Sequence, residues 1–131
     1  MKLIIGGSYQ GKLSFAMELA KVDETETADG KACDFSQLSG KKIVNHLHDL
    51  VGRCLREEKE IEPLIREIIN HRPHVIFICN EVGSGIVPAD PAERAWREQT
   101  GRLCCQLAKE AEQVIRICCG IPTVIKGEAI C

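Results

Sequence analysis

Residues 1–16 read MKLIIGGSYQGKLSFA. A short apolar run, Leu3-Ile4-Ile5, meets Gly6, then four residues, then Gly11-Lys12. The run has the length and composition of a buried strand, and from Lys12 to Lys21 the apolar Phe15 and Leu19, with the alanines, recur at helical spacing. Strand, glycine loop and helix in that order make a phosphate cradle. Glycines let backbone N–H groups curl around phosphate oxygens, the lysine reaches the terminal phosphates, and a hydroxyl directly after it holds Mg²⁺. Here Leu13 takes the hydroxyl position and Ser14 follows, turned by about 100° on a helix that starts at Lys12. The candidate phosphate-binding residues are Gly6, Gly7, Ser8, Tyr9, Gln10, Gly11, Lys12, Leu13 and Ser14. A glycine turn without a ligand is the alternative.

Val22 to Gly40 is polar, follows neither helical nor strand period, and reads as a surface loop. From Lys41 to Glu58, the residues Ile43, Val44, Leu47, Leu50, Val51, Cys54 and Leu55 recur at three- and four-residue steps, which predicts one amphipathic helix with Ser39 as a nearby cap. A second helix is predicted from Glu60 to Asn70, ending before Pro73. Val75-Ile76-Phe77-Ile78-Cys79 is a continuous apolar run suited to a strand covered on both faces. A loop from Asn80 to Asp90 leads into a helix over Pro91 to Glu112, with Asp90 as cap and Pro91 in its first turn. Val114 to Cys119 reads as another strand, and Thr123 to Lys126 as a short last one.

Helices alternating with apolar strands imply an α/β, three-layer fold with a small, mostly parallel sheet, and the 131 residues fit one domain, 1–131. Ligands in such sheets sit beyond the carboxyl ends of the strands. The Gly6–Lys12 and Asn80–Pro88 loops both emerge there and are expected to share one cleft. Asn80, Glu81, Gly83 and Gly85 open the second loop. Its glycines permit close backbone approach, and Glu81 either contacts Mg²⁺ through water, binds a hydroxyl, or braces the loop.

A net charge of −2 argues against a general binder of nucleic acid or membrane surfaces. No charged segment followed by an apolar stretch opens the chain, so a cytoplasmic location is expected. The eight cysteines contain no CxxC pair, which speaks against zinc, and most are expected to be small core residues. Trp96 reads equally as a core residue or an interface anchor. His71 and His74, flanking Pro73, are expected at the surface.

The GGxxxGK loop, the NEVGxGIVP segment at Asn80 to Pro88, and the downstream Arg94, Arg97, Gly101-Arg102 and Gly120-Ile121 resemble the adenosylcobinamide kinase/adenosylcobinamide-phosphate guanylyltransferase family. The resemblance implies a nucleotide-dependent kinase acting on a corrinoid substrate, adenosylcobinamide, in cobalamin biosynthesis, using ATP or GTP with Mg²⁺, with the family's guanylyltransferase activity expected to be reduced or absent, and a symmetric homo-oligomer. Gly6 to Lys12 would hold the nucleotide, Lys12 would neutralise charge on the transferred phosphoryl group, Ser14 or Glu81 would contact the metal through water, and Arg94, Arg97 and Arg102 would be solvated surface residues or supply one contact to a phosphate. Family members are longer and carry, in the middle, a strand ending in an acidic residue; one or more strands are therefore expected to be lost between Ala20 and Ile61. In the family a histidine within an RIxxHxxRR-like pattern accepts GMP. Lys42-Ile43-Val44-Asn45-His46 matches only the basic residue, the Ile and the His, which leaves His46 either a nucleophile or, with His48, a polar position on a helix. The competing reading is a shortened paralogue that binds nucleotide or a partner without catalysis.

Overall fold

The computed structural model describes residues 1–82 and 86–130. Its elements are β1 (Lys2–Gly6), α1 (Lys12–Ala20), β2 (Thr27–Asp29), β3 (Ile43–Asn45), α2 (Leu47–Arg56), α3 (Ile61–His71), β4 (Ile76–Asn80), α4 (Pro91–Glu110), β5 (Gln113–Cys118) and β6 (Ile121–Lys126), with 3₁₀ turns at Glu24–Glu26 and Phe35–Gly40. The strands form one six-stranded sheet in the order β2-β3-β4-β1-β5-β6. All neighbours are parallel except β5 and β6.

Alternation along each buried strand feeds two cores, because successive side chains leave opposite faces of a sheet. Leu3, Val44, Phe77, Cys79 and Val114 pack with Leu47, Leu50, Val51 and Cys54 of α2, Ile61, Ile65 and Ile68 of α3, and Leu103 and Leu107 of α4. Ile4, Ile43, Ile76, Ile78, Ile115 and Ile117 pack with Ala16 of α1, against which Leu13, Phe15 and Met17 also lie. The result is a three-layer α/β protein with a small, mostly parallel sheet, as the alternation of elements implies. Strand β6 is largely exposed and carries Pro122, which suits an outer edge where one row of backbone groups has no partner.

The middle of the chain departs from expectation. Two strands, β2 and β3, occupy the stretch expected to be a loop followed by helix, and β2 ends in the acid Asp29. Ile43 and Val44 belong to a strand, and the helix begins only at Leu47, so Ser39 does not cap it. The periodicity misleads because β3 passes into α2 through one residue, His46, with φ 54°. With no loop between them, the two apolar residues of β3 fall in phase with the buried face of α2. The preceding segment is also anchored: Leu38 is fully buried, and Phe35 lies under the guanidinium of Arg53 and the ammonium of Lys59, 4.5 and 4.1 Å from its ring centre.

The cysteines depart too. Cys54 and Cys79 are buried and Cys33 and Cys104 half-buried, but Cys105, Cys118 and Cys119 are exposed. β5 leaves the sheet at Cys118, and Cys119 and Gly120 form the left-handed turn into β6. Cys131 lies outside the described residues. His71 and His74 are exposed. No helix is long and apolar enough to cross a membrane among the described residues.

Gly30, just after β2, brings the backbones of β2 and β3 together. Its N–H donates to the Asn45 carbonyl at 2.8 Å, and a Cβ here would stand 2.8 Å from the carbonyl oxygens of both Asn45 and His46. Backbone atoms cannot yield as a side chain does. Gly30→Ala is therefore expected to destabilise the protein by about 1–3 kcal/mol, measured as a lowered urea midpoint with an unchanged slope.

Candidate functional site

The carboxyl ends of β1, β3 and β4 enclose a cleft of ≈ 360 Å³ lined by Ser8 to Ser14 on one side and Lys31, Asn45, His46, His48, Asp49 and Asn80 on the other. The first wall is built by the glycine loop. Gly11 has φ 86°, a conformation that a side chain resists, and Lys12 starts α1 directly after it. Gln10 ties the loop down: its backbone carbonyl accepts from Gly120 N–H at 3.1 Å and its side-chain oxygen accepts from Cys119 N–H. Tyr9, by contrast, is fully exposed at the tip.

Lys12 is 7 % exposed and its Nζ donates to the Gly7 carbonyl at 2.5 Å. Burial pulls the ammonium below the usual lysine range, with Cys79 and Glu81 opposing that shift. A cation folded onto its own loop next to a helix N-terminus is arranged to meet an anion, since both the charge and the first-turn N–H groups favour negative oxygens. Ser14 lies in the cleft lining despite its one-residue displacement.

The second loop does start at the same cleft. Asn80 Nδ2 donates to Ser8 Oγ at 3.0 Å, and Glu81 N–H donates to the Gly6 carbonyl at 2.9 Å. The Glu81 carboxylate faces Arg116 of β5, with Oε1 2.7 Å from Nε and Oε2 accepting from Nη2 at 3.2 Å, and it is not part of the cleft lining. Gly83 and Gly85 lie outside the described residues. None of the α4 arginines lines the cleft, and two of them serve the loop. Arg94 donates to the Pro88 and Ala89 carbonyls, Arg97 to that of Ile86, and Arg102 pairs with Glu98 at 2.6 Å.

The opposite wall holds residues that sequence reasoning passed over, Lys31, Asn45 and Asp49, and behind it stands Asp29, which reaches the wall through His46. Asp29 ends β2 and His46 directly follows the adjacent β3, and His46 Nδ1 stands 2.7 Å from Asp29 Oδ1. Burial alone would raise the Asp29 carboxyl, but the hydrogen bonds from His46 and the Lys31 N–H outweigh it and hold the group below the usual carboxylate range. The left-handed backbone of His46 is braced by its N–H donating to Asn45 Oδ1 at 2.9 Å. The available signal was the acid ending Thr27-Ala28-Asp29 before a glycine. It was missed because a three-residue strand barely shows a period.

His48 is a buried member of the same wall. Its Nδ1 accepts from Asn80 N–H at 3.1 Å, so the neutral ring carries its proton on Nε2, 3.3 Å from Asp49 Oδ2. The carbonyl of His48 accepts from Trp96 Nε1 at 2.6 Å, which fixes α4 against α2 and makes Trp96 a half-buried core residue. The His46 and His48 rings meet edge to face, 5.8 Å between centres.

A six-stranded, mostly parallel sheet with helices on both faces, and a GGxxxGK loop with its lysine at the carboxyl end of a central strand, define a P-loop NTPase-like protein. Within that class the chain belongs to the cobinamide kinase / cobinamide phosphate guanyltransferase family, whose model matches residues 37–125. It is 39 % identical over 67 residues to the bifunctional adenosylcobalamin biosynthesis protein CobU of Escherichia coli (strain K12), covering 51 % of this chain and 37 % of that protein. It is 36 % identical over 69 residues to the protein of the same name from Salmonella typhimurium (strain LT2), covering 53 % and 38 %. The matched stretch thus spans well under half the length of either relative.

Burial holds the His48 imidazole below its ordinary value, opposed by Asp49 and reinforced by His46 and Lys12. As pH falls through about 6.5, the unfolded chain takes up a proton at this position that the folded protein resists, so stability declines until the folded pKa is passed. Urea midpoints at pH 7.5 and 5.5 should show that decline. His48→Asn, which keeps an acceptor for Asn80 N–H but does not titrate, is expected to flatten it.

Proposed function

We propose that this protein is a nucleotide-dependent kinase that transfers the terminal phosphoryl group of ATP or GTP to the aminopropanol hydroxyl of adenosylcobinamide. The observation that carries this reading is the one cleft that the glycine loop and buried Lys12 share with His46, itself held by Asp29, in a chain of the cobinamide kinase / cobinamide phosphate guanyltransferase family. Phosphoryl transfer asks a protein for positioning and charge stabilisation more than for covalent chemistry. The loop from Gly6 to Ser14 binds the phosphates, and Lys12 exchanges the Gly7 carbonyl for an oxygen of the transferred group.

The donor set supports Mg²⁺ held sparsely. With Glu81 engaged by Arg116, Ser14 in the first turn of α1 is the residue that would hold the ion, together with nucleotide phosphates and water, a mode usual for this cation. When bound, Mg²⁺ supplies charge neutralisation across the β- and γ-phosphates. Guanylyl transfer is not part of the proposal, because the residues around His46 lack the family's arginines: Asp49 and Leu50 stand where basic residues would follow.

A second reading, a paralogue that binds nucleotide or a partner without catalysis, is favoured by Leu13 at the usual hydroxyl position. Magnesium separates the two. Nucleotide affinity that is indifferent to Mg²⁺ supports the binding module, and strong dependence supports the kinase.

The decisive experiment is mass spectrometry of products after incubation with Mg²⁺, ATP or GTP, and adenosylcobinamide. Adenosylcobinamide phosphate is expected from the wild type. Lys12→Ala should lower its rate by on the order of 10²–10³-fold, the effect of deleting one donor to developing negative charge. No product beside an active full-length control would leave the binding module.

A further inference from the structure

We infer that His46 is the general base of this cleft, taking the proton of the acceptor hydroxyl at Nε2 while Asp29 orients the ring through Nδ1. The inference rests on the kinase reading and adds the residue that activates the nucleophile. The geometry is that of a base held by an orienting acid. Asp29 Oδ1 at 2.7 Å fixes the proton of neutral His46 on Nδ1, which leaves the Nε2 lone pair without a protein partner among the described residues. The ring lines the cleft with Lys12 and the glycine loop, and its side chain remains 39 % exposed, so a substrate can reach it.

The other titratable groups facing His46 are occupied or wrongly charged. His48 spends its Nδ1 lone pair on Asn80 N–H and points its Nε2 proton at Asp49. Asp49 is engaged at Oδ2 by that same ring, and a carboxylate is in any case the weaker base near neutral pH. Lys12 and Lys31 are cations on the cleft lining, and Glu81 is paired with Arg116 outside it.

In the step so assigned, the hydroxyl oxygen forms a bond to the γ-phosphorus as the bond from that phosphorus to the β–γ bridging oxygen breaks. The nucleoside diphosphate leaves with the bridging electron pair. The hydroxyl proton passes to Nε2, giving an imidazolium whose Nδ1–H stays hydrogen-bonded to the Asp29 carboxylate, and the proton is then returned to solvent.

The left-handed backbone at His46, φ 54°, decides which variant tests this. His46→Gly accepts that conformation without strain and leaves room for free imidazole. Against Mg²⁺, ATP and adenosylcobinamide, His46→Gly is expected to lower kcat by ~10²–10³-fold with little change in nucleotide KM, the usual range for general base catalysis. It should also lose the acid limb of the wild-type pH–rate profile and regain rate with added imidazole. Asp29→Asn should lower kcat in the same direction while nucleotide KM holds. An active wild type whose rate and acid limb survive in His46→Gly overturns the inference alone. Loss of the acid limb in Asp49→Asn with retention in His46→Gly assigns the base to Asp49 and overturns it. A phosphoryl or nucleotidyl group trapped on His46 in the intact protein overturns it in favour of a nucleophile. A wild type that makes no phosphorylated corrinoid overturns the kinase reading and this inference together.

Discussion

The ladder that holds β1 on both of its edges is the interaction on which the rest of the structure depends. Parallel pairing with β4 aligns Gly6 with Asn80, and parallel pairing with β5 aligns Gly6 with Ile117. Parallel strands cannot be joined by tight turns, so their crossovers are sent over the faces and their carboxyl ends finish at a common edge. The glycine loop leaves that edge at its centre. It is held from both sides, by Asn80 reaching Ser8 and by the β5–β6 turn gripping Gln10. Packing and hydrogen bonds thus order the loop before any ligand arrives, and on the proposed reading that order would lower the entropic cost of binding a nucleotide.

The opposite wall follows from a second constraint, the single left-handed residue between β3 and α2. Because His46 makes the turn alone, its side chain is set at the sheet edge instead of being carried away on a connecting loop. The pairing of β2 with β3 brings Asp29 to it, and the close approach at Gly30 sets the separation. The two histidines of the wall are thereby given different characters: His46 is half-exposed and paired with a carboxylate, whereas His48 is buried and committed to a backbone N–H. Environment, not residue type, separates an accessible imidazole from a structural strut.

Much of the fold was legible in the chain. The runs at Leu3 to Ile5 and Val75 to Cys79 are strands because uninterrupted apolar stretches suit positions covered on both faces, Val114 to Cys118 is a strand despite the exposed Arg116 within it, and Asp90-Pro91 does start α4, with the Asp90 side chain accepting from Ala92 N–H at 3.0 Å. The middle was not legible. β2 and β3 are three residues each, and β3 enters its helix without a loop, so strand and helix share one apparent period.

The same division runs through the site. Local sequence determined the strand, glycine loop, lysine and helix of its first wall, because those residues are neighbours along the chain and their backbone demands are local. It also determined that the loop after β4 would begin at the same edge. Tertiary structure alone decided the second wall, since Asp29 and His46 are seventeen residues apart and meet only through strand pairing. It decided likewise that Glu81 turns to Arg116 and that His48 binds the N–H of Asn80, thirty-two residues away. Hydrogen bonds between residues so distant in sequence have no period and no local spacing, and they come into being only when the sheet brings its carboxyl ends to one edge.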